Sequence, residues 1–116
     1  MKVLCAPMEI SLGHPEKNAT SAMFLIEANK NVDYILLPPL FLTGCTCGIL
    51  FEFSFFIEQQ NKHLSRIISS MPEHVKVIST IMENGSETPV VFDSQGIINC
   101  SEINIATNIH EIKKDK

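Results

Sequence analysis

Residues 32–48 have the sequence VDYILLPPLFLTGCTCG, and this stretch decides the fold of the chain. Residues 32–37 are apolar at almost every position, which is typical of a strand buried on both faces of a parallel sheet. Pro38 and Pro39 end this strand because neither can donate a hydrogen bond to a neighbouring strand. Residues 40–48 contain two glycines and are therefore predicted to form a loop.

The segments on either side predict an alternation of strands and helices. Residues 2–8 (KVLCAPM) predict a second buried strand. A helix is predicted from Pro15 to residues 29–31, where Asn29 or Asn31 can take a left-handed cap, and another over residues 50–71, ended by Pro72. Residues 75–81 predict a third strand. The Asn84-Gly85 turn and the paired segments 89–92 and 97–100 predict a hairpin.

This order of elements predicts an α/β fold of the form β-α-β-α-β plus a β-hairpin. The first three strands should be parallel and joined by right-handed crossovers. Ligands of such sheets bind beyond the carboxyl ends of the strands, here residues 8–13, 38–48 and 82–86. We expect one partial domain over residues 1–103 and a frayed polar tail over residues 104–116.

Composition restricts the class of protein. Of the 116 residues of the chain, 45% are hydrophobic, so the chain should fold rather than remain disordered. Its net charge of −4 argues against binding to nucleic acid or anionic membranes, since both need a basic face. The longest apolar stretch, residues 34–42, contains two prolines and is too short to span a bilayer. Four cysteines without an export signal predict reduced thiols and a cytoplasmic location.

Few side chains suggest chemistry. Cys45 or Cys47 could be a nucleophile near a helix start, but residues 38–48 contain no His, Lys, Asp or Glu to act as its base. Tight loop packing is therefore the favoured role for both thiols. Glu9 could be an acid or base, or a loop residue bonded to turn amides. Cysteine and histidine spacing predicts no metal site, and the four histidines are predicted to be surface or cap residues.

Several segments together resemble the start of a nitrilase-superfamily (carbon–nitrogen hydrolase) domain. They are residues 2–8, Gly13, Asn18, residues 33–38 and residues 42–44. Residues 42–51 (LTGCTCGILF) are more specific, because they resemble the L-T-G-Y-T-C-G-D-L-F segment in the glutaminase domain of glutamine-dependent NAD synthetases. The matching loop motif is Leu42, Thr43, Gly44, Thr46, Cys47 and Gly48.

The resemblance implies an α-β-β-α sandwich, of which this chain would supply the first half. Family members use a Glu–Lys–Cys triad, in which the Cys attacks the amide of glutamine and a separate ligase domain uses the ammonia. No cofactor is implied for the glutaminase region itself.

The triad does not carry over to this sequence. Pro39 stands where the family has its general-base Glu, and Asn104 lies near the position of the family Lys. The nucleophilic Cys would lie beyond residue 116. Cys45 and Ile49 replace the Tyr and Asp of the loop. The resemblance therefore predicts a truncated, catalytically dead relative (a pseudoenzyme) rather than an amidase.

Two alternatives remain open at the level of the sequence. The chain could be a small binding or regulatory module that pairs with an intact synthetase, or with itself, through a sheet face that a second half would otherwise cover. It could also be an enzyme with an unrelated site based on Cys45 and Cys47.

Overall fold

The structure is a computed structural model that describes residues 1–45 and 48–98. Its elements are β1 (Val3–Cys5), α1 (Pro15–Ala28), β2 (Tyr34–Leu36), a 3-10 helix (Gly48–Glu52), α2 (Ser54–Ser70), β3 (Lys76–Glu83), β4 (Ser86–Asp93) and β5 (Gly96–Ile97). This order confirms the predicted alternation. The predictions for Thr46, Cys47, Asn104, the boundary at residue 103 and the tail concern residues outside the described ranges.

The five strands form one mixed sheet in the order β1-β2-β3-β4-β5. The pairs β1–β2 and β2–β3 are parallel, and β3–β4 and β4–β5 are antiparallel, as the sequence predicts. Asn84 and Gly85 join β3 to β4 with positive φ angles of 51° and 79°. Two successive positive φ angles are what a tight hairpin turn requires, which explains the Asn-Gly pair.

The first two strands are shorter than predicted. Regular pairing covers Val3–Cys5 and Tyr34–Leu36, instead of residues 2–8 and 32–37. Each strand is followed by one further backbone hydrogen bond to its neighbour. Ala6 N donates to Leu36 O and Leu37 N donates to Ile78 O, each at 3.0 Å. Pro7 and Pro38 follow at once and have no N–H to continue the ladder.

The helix ends differ from prediction in two places. Phe53 is extended (φ −94°, ψ 120°) and separates the 3-10 helix from α2, so the prediction of one helix over residues 50–71 is wrong at its start. Asn29 has φ −125° rather than the predicted left-handed conformation. Its side-chain Nδ2 instead donates to Leu25 O at 2.9 Å, which satisfies a helix-end carbonyl that the backbone leaves free.

Two apolar clusters lie on opposite faces of the sheet. The larger cluster joins strand residues such as Ile35 and Val77 to residues of both helices, such as Ala22 and Ile67. The smaller contains Leu36, Ile78 and Val91, with Val3, Tyr34 and Ile98 against it, and no helix residue. Because side chains alternate along a strand, both described helices therefore lie on one face of the sheet.

Candidate functional site

Asn18 ties together two loops at the carboxyl ends of the parallel strands. Its side chain is 1% exposed. Oδ1 accepts from Ser11 N at 2.7 Å, and Nδ2 donates to Ser11 O and to Leu42 O, each at 2.8 Å. α1 begins at Pro15, which places Asn18 in the first turn of the helix, directly beside both loops. These bonds set the position of the loop after β1 relative to the loop after β2.

Two glycines complete this arrangement. Gly13 N donates to Thr43 O at 2.9 Å, and Gly44 N donates to Leu40 O at 2.8 Å. Gly44 has φ +90°, and a Cβ there would lie 2.5 Å from Leu12 Cδ2, so no other residue fits without strain. We call Ser11, Gly13, Asn18 and residues 42–44 the rim cluster. Most of its members are residues that carry the family resemblance.

The loop after β2 is also attached to β3 on its other side. Ser79 Oγ donates to Pro38 O at 2.7 Å, and Leu40 N donates to Thr80 Oγ1 at 2.8 Å. Thr80 Oγ1 in turn donates to Glu87 Oε2 at 2.8 Å. Pro39 lies exposed between these two anchored residues. Pro39 is thus held between two hydrogen-bonded residues, and its side chain cannot ionise.

Gln60 fixes α2 against the part of β3 that extends beyond β2. Its Nε2 donates to Met82 O at 2.9 Å and its Oε1 accepts from Met82 N at 3.0 Å. Gln60 was not among the residues that the sequence predicted to be buried or functional. The spacing of the apolar residues could have indicated its burial. Gln60 lies four residues after Phe56 and four before Leu64, and all three are on the buried side of α2 with Ile67.

His63 was predicted to be a surface or cap residue, and this prediction is wrong. It is 6% exposed, on the side of α2 that faces α1. Its Nδ1 lies 3.2 Å from Arg66 Nη1. Burial, and next the positive charge of Arg66, lower the pKa of His63 from its ordinary value. His14, by contrast, occupies the N-cap position of α1, as a cap prediction requires.

Cys45 and Glu9 are the candidate chemical residues at the rim that the structure describes, and no hydrogen bond joins them. Cys45 is exposed, and its Sγ lies 3.9 Å from Pro39 O. Among the described residues, no ionisable side chain forms a hydrogen bond with this thiol, and Glu9 forms neither a hydrogen bond nor an ion pair. In the described part of these loops, hydrogen bonds thus join Asn18 to backbone groups, whereas no acid or base is hydrogen-bonded to Cys45.

Within residues 1–45 and 48–98, no three His, Cys, Asp or Glu residues are grouped so that they could hold a metal ion. Neither helix in the same ranges combines the length and apolar character needed to cross a membrane.

Comparison with known proteins gives a match at the level of the fold. No family model and no curated protein matches the sequence. The structure is similar to a glutamine-dependent NAD(+) synthetase from Cytophaga hutchinsonii, with a TM-score of 0.72, 20% identity, and coverage of 84% of this chain and 18% of that chain. It is also similar to a glutamine-dependent NAD+ synthetase from Acinetobacter baumannii bound to ADP, with a TM-score of 0.73, 15% identity, and coverage of 84% and 20%.

The chain thus spans about a fifth of the length of these two synthetases. The resemblance to NAD synthetases that the loop sequence predicted is confirmed at the level of the fold. At identities of 20% and below, the likeness concerns the α/β architecture and not the chemistry of individual residues.

Proposed function

We propose that this chain is a relative of the glutaminase region of NAD synthetases that does not itself hydrolyse glutamine. The observation that carries this proposal is Pro39, which is exposed between the anchored residues Pro38 and Leu40. The family resemblance expects a general-base carboxylate at this position. A pyrrolidine ring cannot accept a proton, and loss of a general base typically costs about 10²- to 10⁴-fold in rate.

Glu87 is the carboxylate best placed to replace the missing base. It bonds to Thr80 Oγ1, which accepts from the backbone N–H of Leu40, the residue after Pro39. However, Glu87 lies in β4 and is exposed, so water rather than an apolar pocket surrounds it. A general base needs to reach the nucleophile directly or through one water, and no hydrogen bond in the described part of the chain joins Glu87 to Cys45.

An assay of glutamine hydrolysis tests the proposal. The full chain is incubated with glutamine, and the glutamate and ammonia released are compared with a blank without protein. We expect no turnover above the blank for the native chain, Glu87→Gln, Cys45→Ser or Cys47→Ala, with circular dichroism confirming that each is folded. Turnover by the native chain that Glu87→Gln or Cys47→Ala abolishes would show that the site is active and the proposal wrong.

A protein-binding role is our second candidate function, and two charges around the smaller apolar cluster favour it. Leu36, Ile78 and Val91 are paired neighbours on adjacent strands, on the face that neither described helix contacts. Because these three side chains are buried within the chain, a protein partner would contact the residues around them. Because side chains alternate along a strand, Lys76 and Glu87 lie on the same face of the sheet as Ile78, one on either side of it. Lys76 is half-buried and Glu87 is exposed.

This arrangement of charges favours a second copy of the chain as the partner. A two-fold axis near Ile78 would bring Lys76 of one copy opposite Glu87 of the other, since two-fold contacts are self-complementary. An intact synthetase is the other partner that the family resemblance suggests.

Sedimentation over a range of protein concentrations tests this second candidate. We expect a reversible dimer that Lys76→Glu weakens and that the double variant Lys76→Glu with Glu87→Lys restores. Lys62→Glu, an exposed charge reversal on α2, is the matched control and should leave the dimer unchanged. A monomer at every concentration would rule out self-pairing through this face.

A further inference from the structure

A cavity of about 740 Å³ opens between α1 and the start of α2. It shares only Gly13 with the rim cluster, and its other lining residues are His14 and residues of α1 and α2. Its volume falls within the range of about 300 to 1,000 Å³ that is usual for small-molecule sites. Nothing in the family resemblance assigns a role to this part of the fold.

Three phenylalanines line the cavity, and two of them are unusually exposed. Phe24 on α1 is 76% exposed and Phe55 on α2 is 70% exposed, although both are large apolar side chains. Phe56, which is buried, lines the cavity beside them. Exposed apolar groups that border one concave surface are typical of a binding site, because a ligand can remove them from water.

His63 supplies a hydrogen-bond donor to this cavity. An arginine has no acceptor atom, so Arg66 Nη1 must donate to Nδ1 of His63, and the imidazole proton then lies on Nε2. In the described part of the chain Nε2 has no hydrogen-bond partner, although the His63 side chain is 6% exposed and lines the cavity. The direction of its pKa shift keeps the ring neutral near pH 7, which preserves this single N–H donor.

The charges around the cavity favour an acidic ligand. Arg66 Nη2 donates to Thr20 Oγ1 at 2.6 Å. Among the described residues, Arg66 forms no ion pair with a carboxylate. Lys17 lines the cavity and Glu16 is the one acidic residue that does so. Of the charges that act on His63, those of Arg66 and Lys62 are positive and that of Glu16 is negative, which leaves a net positive potential near its ring.

We propose that this cavity binds a small planar aromatic molecule that carries a carboxylate. Its ring packs against Phe24 and Phe55, and a carboxylate oxygen accepts the Nε2–H of His63. Arg66 is a positioning residue here, because it fixes the tautomer of His63 without lining the cavity.

Titration of the full chain with benzoate, followed by NMR of the histidine ring protons, tests the proposal. We expect the His63 signals to shift in a saturable way, and benzylammonium, which has the same ring but the opposite charge, to produce no saturable shift. Phe24→Ala should weaken benzoate binding about fivefold, the effect of losing one aromatic contact. Phe53→Ala removes a 56% exposed phenylalanine that does not line the cavity, so it is the matched control and should not alter binding.

Three results would overturn the proposal. The first is the absence of a saturable shift with benzoate up to about 20 mM, where even a weak fragment-sized ligand binds. The second is equal binding of benzylammonium. The third is a change in oligomeric state on Phe24→Ala, which would make this surface a protein interface. His63→Gln retains an N–H donor and should retain part of the affinity; if it does not fold, Phe24→Ala still decides the matter.

Discussion

The rim cluster and the cavity between the helices differ in how their polar groups are used. At the rim, Asn18 is buried and each of its polar atoms bonds to the backbone of Ser11 or Leu42. At the cavity, the Nε2 of His63 has no partner in the described part of the chain, and two phenylalanines face water. Polar groups that bond internally stabilise a fold, whereas a free donor beside exposed aromatic rings is available to a ligand. Asn18 and Leu42, which carry part of the family resemblance, therefore belong to the scaffold.

The largest expected effect tests whether the rim cluster is a scaffold. Asn18→Leu removes the side chain that bonds Ser11 N, Ser11 O and Leu42 O, and leaves these groups without partners. We expect the free energy of unfolding in urea to fall by about 3 kcal/mol, since buried unpaired polar groups cost about 1 to 3 kcal/mol each. Asn31→Leu, at an exposed position, should change it by less than about 0.5 kcal/mol. Equal small effects would mean that the rim cluster is not needed for stability.

A smaller effect is expected where α2 meets β3. Gln60→Leu keeps the apolar stem but removes the partners of Met82 N and Met82 O. Urea unfolding should show a loss of about 2 kcal/mol. Glu58→Leu, an exposed position on the same helix, serves as the control. If both variants unfold at the same urea concentration, the contacts of Gln60 do not contribute to stability.

The smallest effect concerns the cavity and depends on pH. Burial and the charge of Arg66 lower the pKa of His63 below 6.5, with Lys62 acting in the same direction and Glu16 opposing them. The unfolded chain, with the ordinary pKa, then takes up a proton more readily than the folded chain. Stability should therefore fall as the pH decreases through 6.5 towards the pKa of the folded state.

Urea midpoints measured between neutral and mildly acidic pH check this expectation. The native chain should lose more stability over that interval than His63→Gln, which cannot titrate. His74→Gln, at an exposed histidine, should follow the native chain. A native chain and a His63→Gln variant with the same pH dependence would show that His63 does not titrate differently on folding.

The sequence predicted the strand order and helix positions well because those signals are local. Continuous apolar runs, Pro15 at a helix start, Pro72 after a helix end and the Asn84-Gly85 turn each act within a few residues. Phe53 was placed inside a helix because its apolar side chain fits the helical spacing. Whether the backbone is extended there depends on how the 3-10 helix meets α2, and periodicity carries no information on that contact.

The sequence by itself determined the α/β architecture and the likeness to the synthetase fold. These follow from the identity and order of residues along the chain. Only the tertiary structure decided that Asn18, Gly13 and Leu42 meet in one cluster, and that His63 is buried beside Arg66 and lines a cavity with two exposed phenylalanines. Such contacts join residues far apart in the chain, and they depend on how the helices pack against the sheet and against each other.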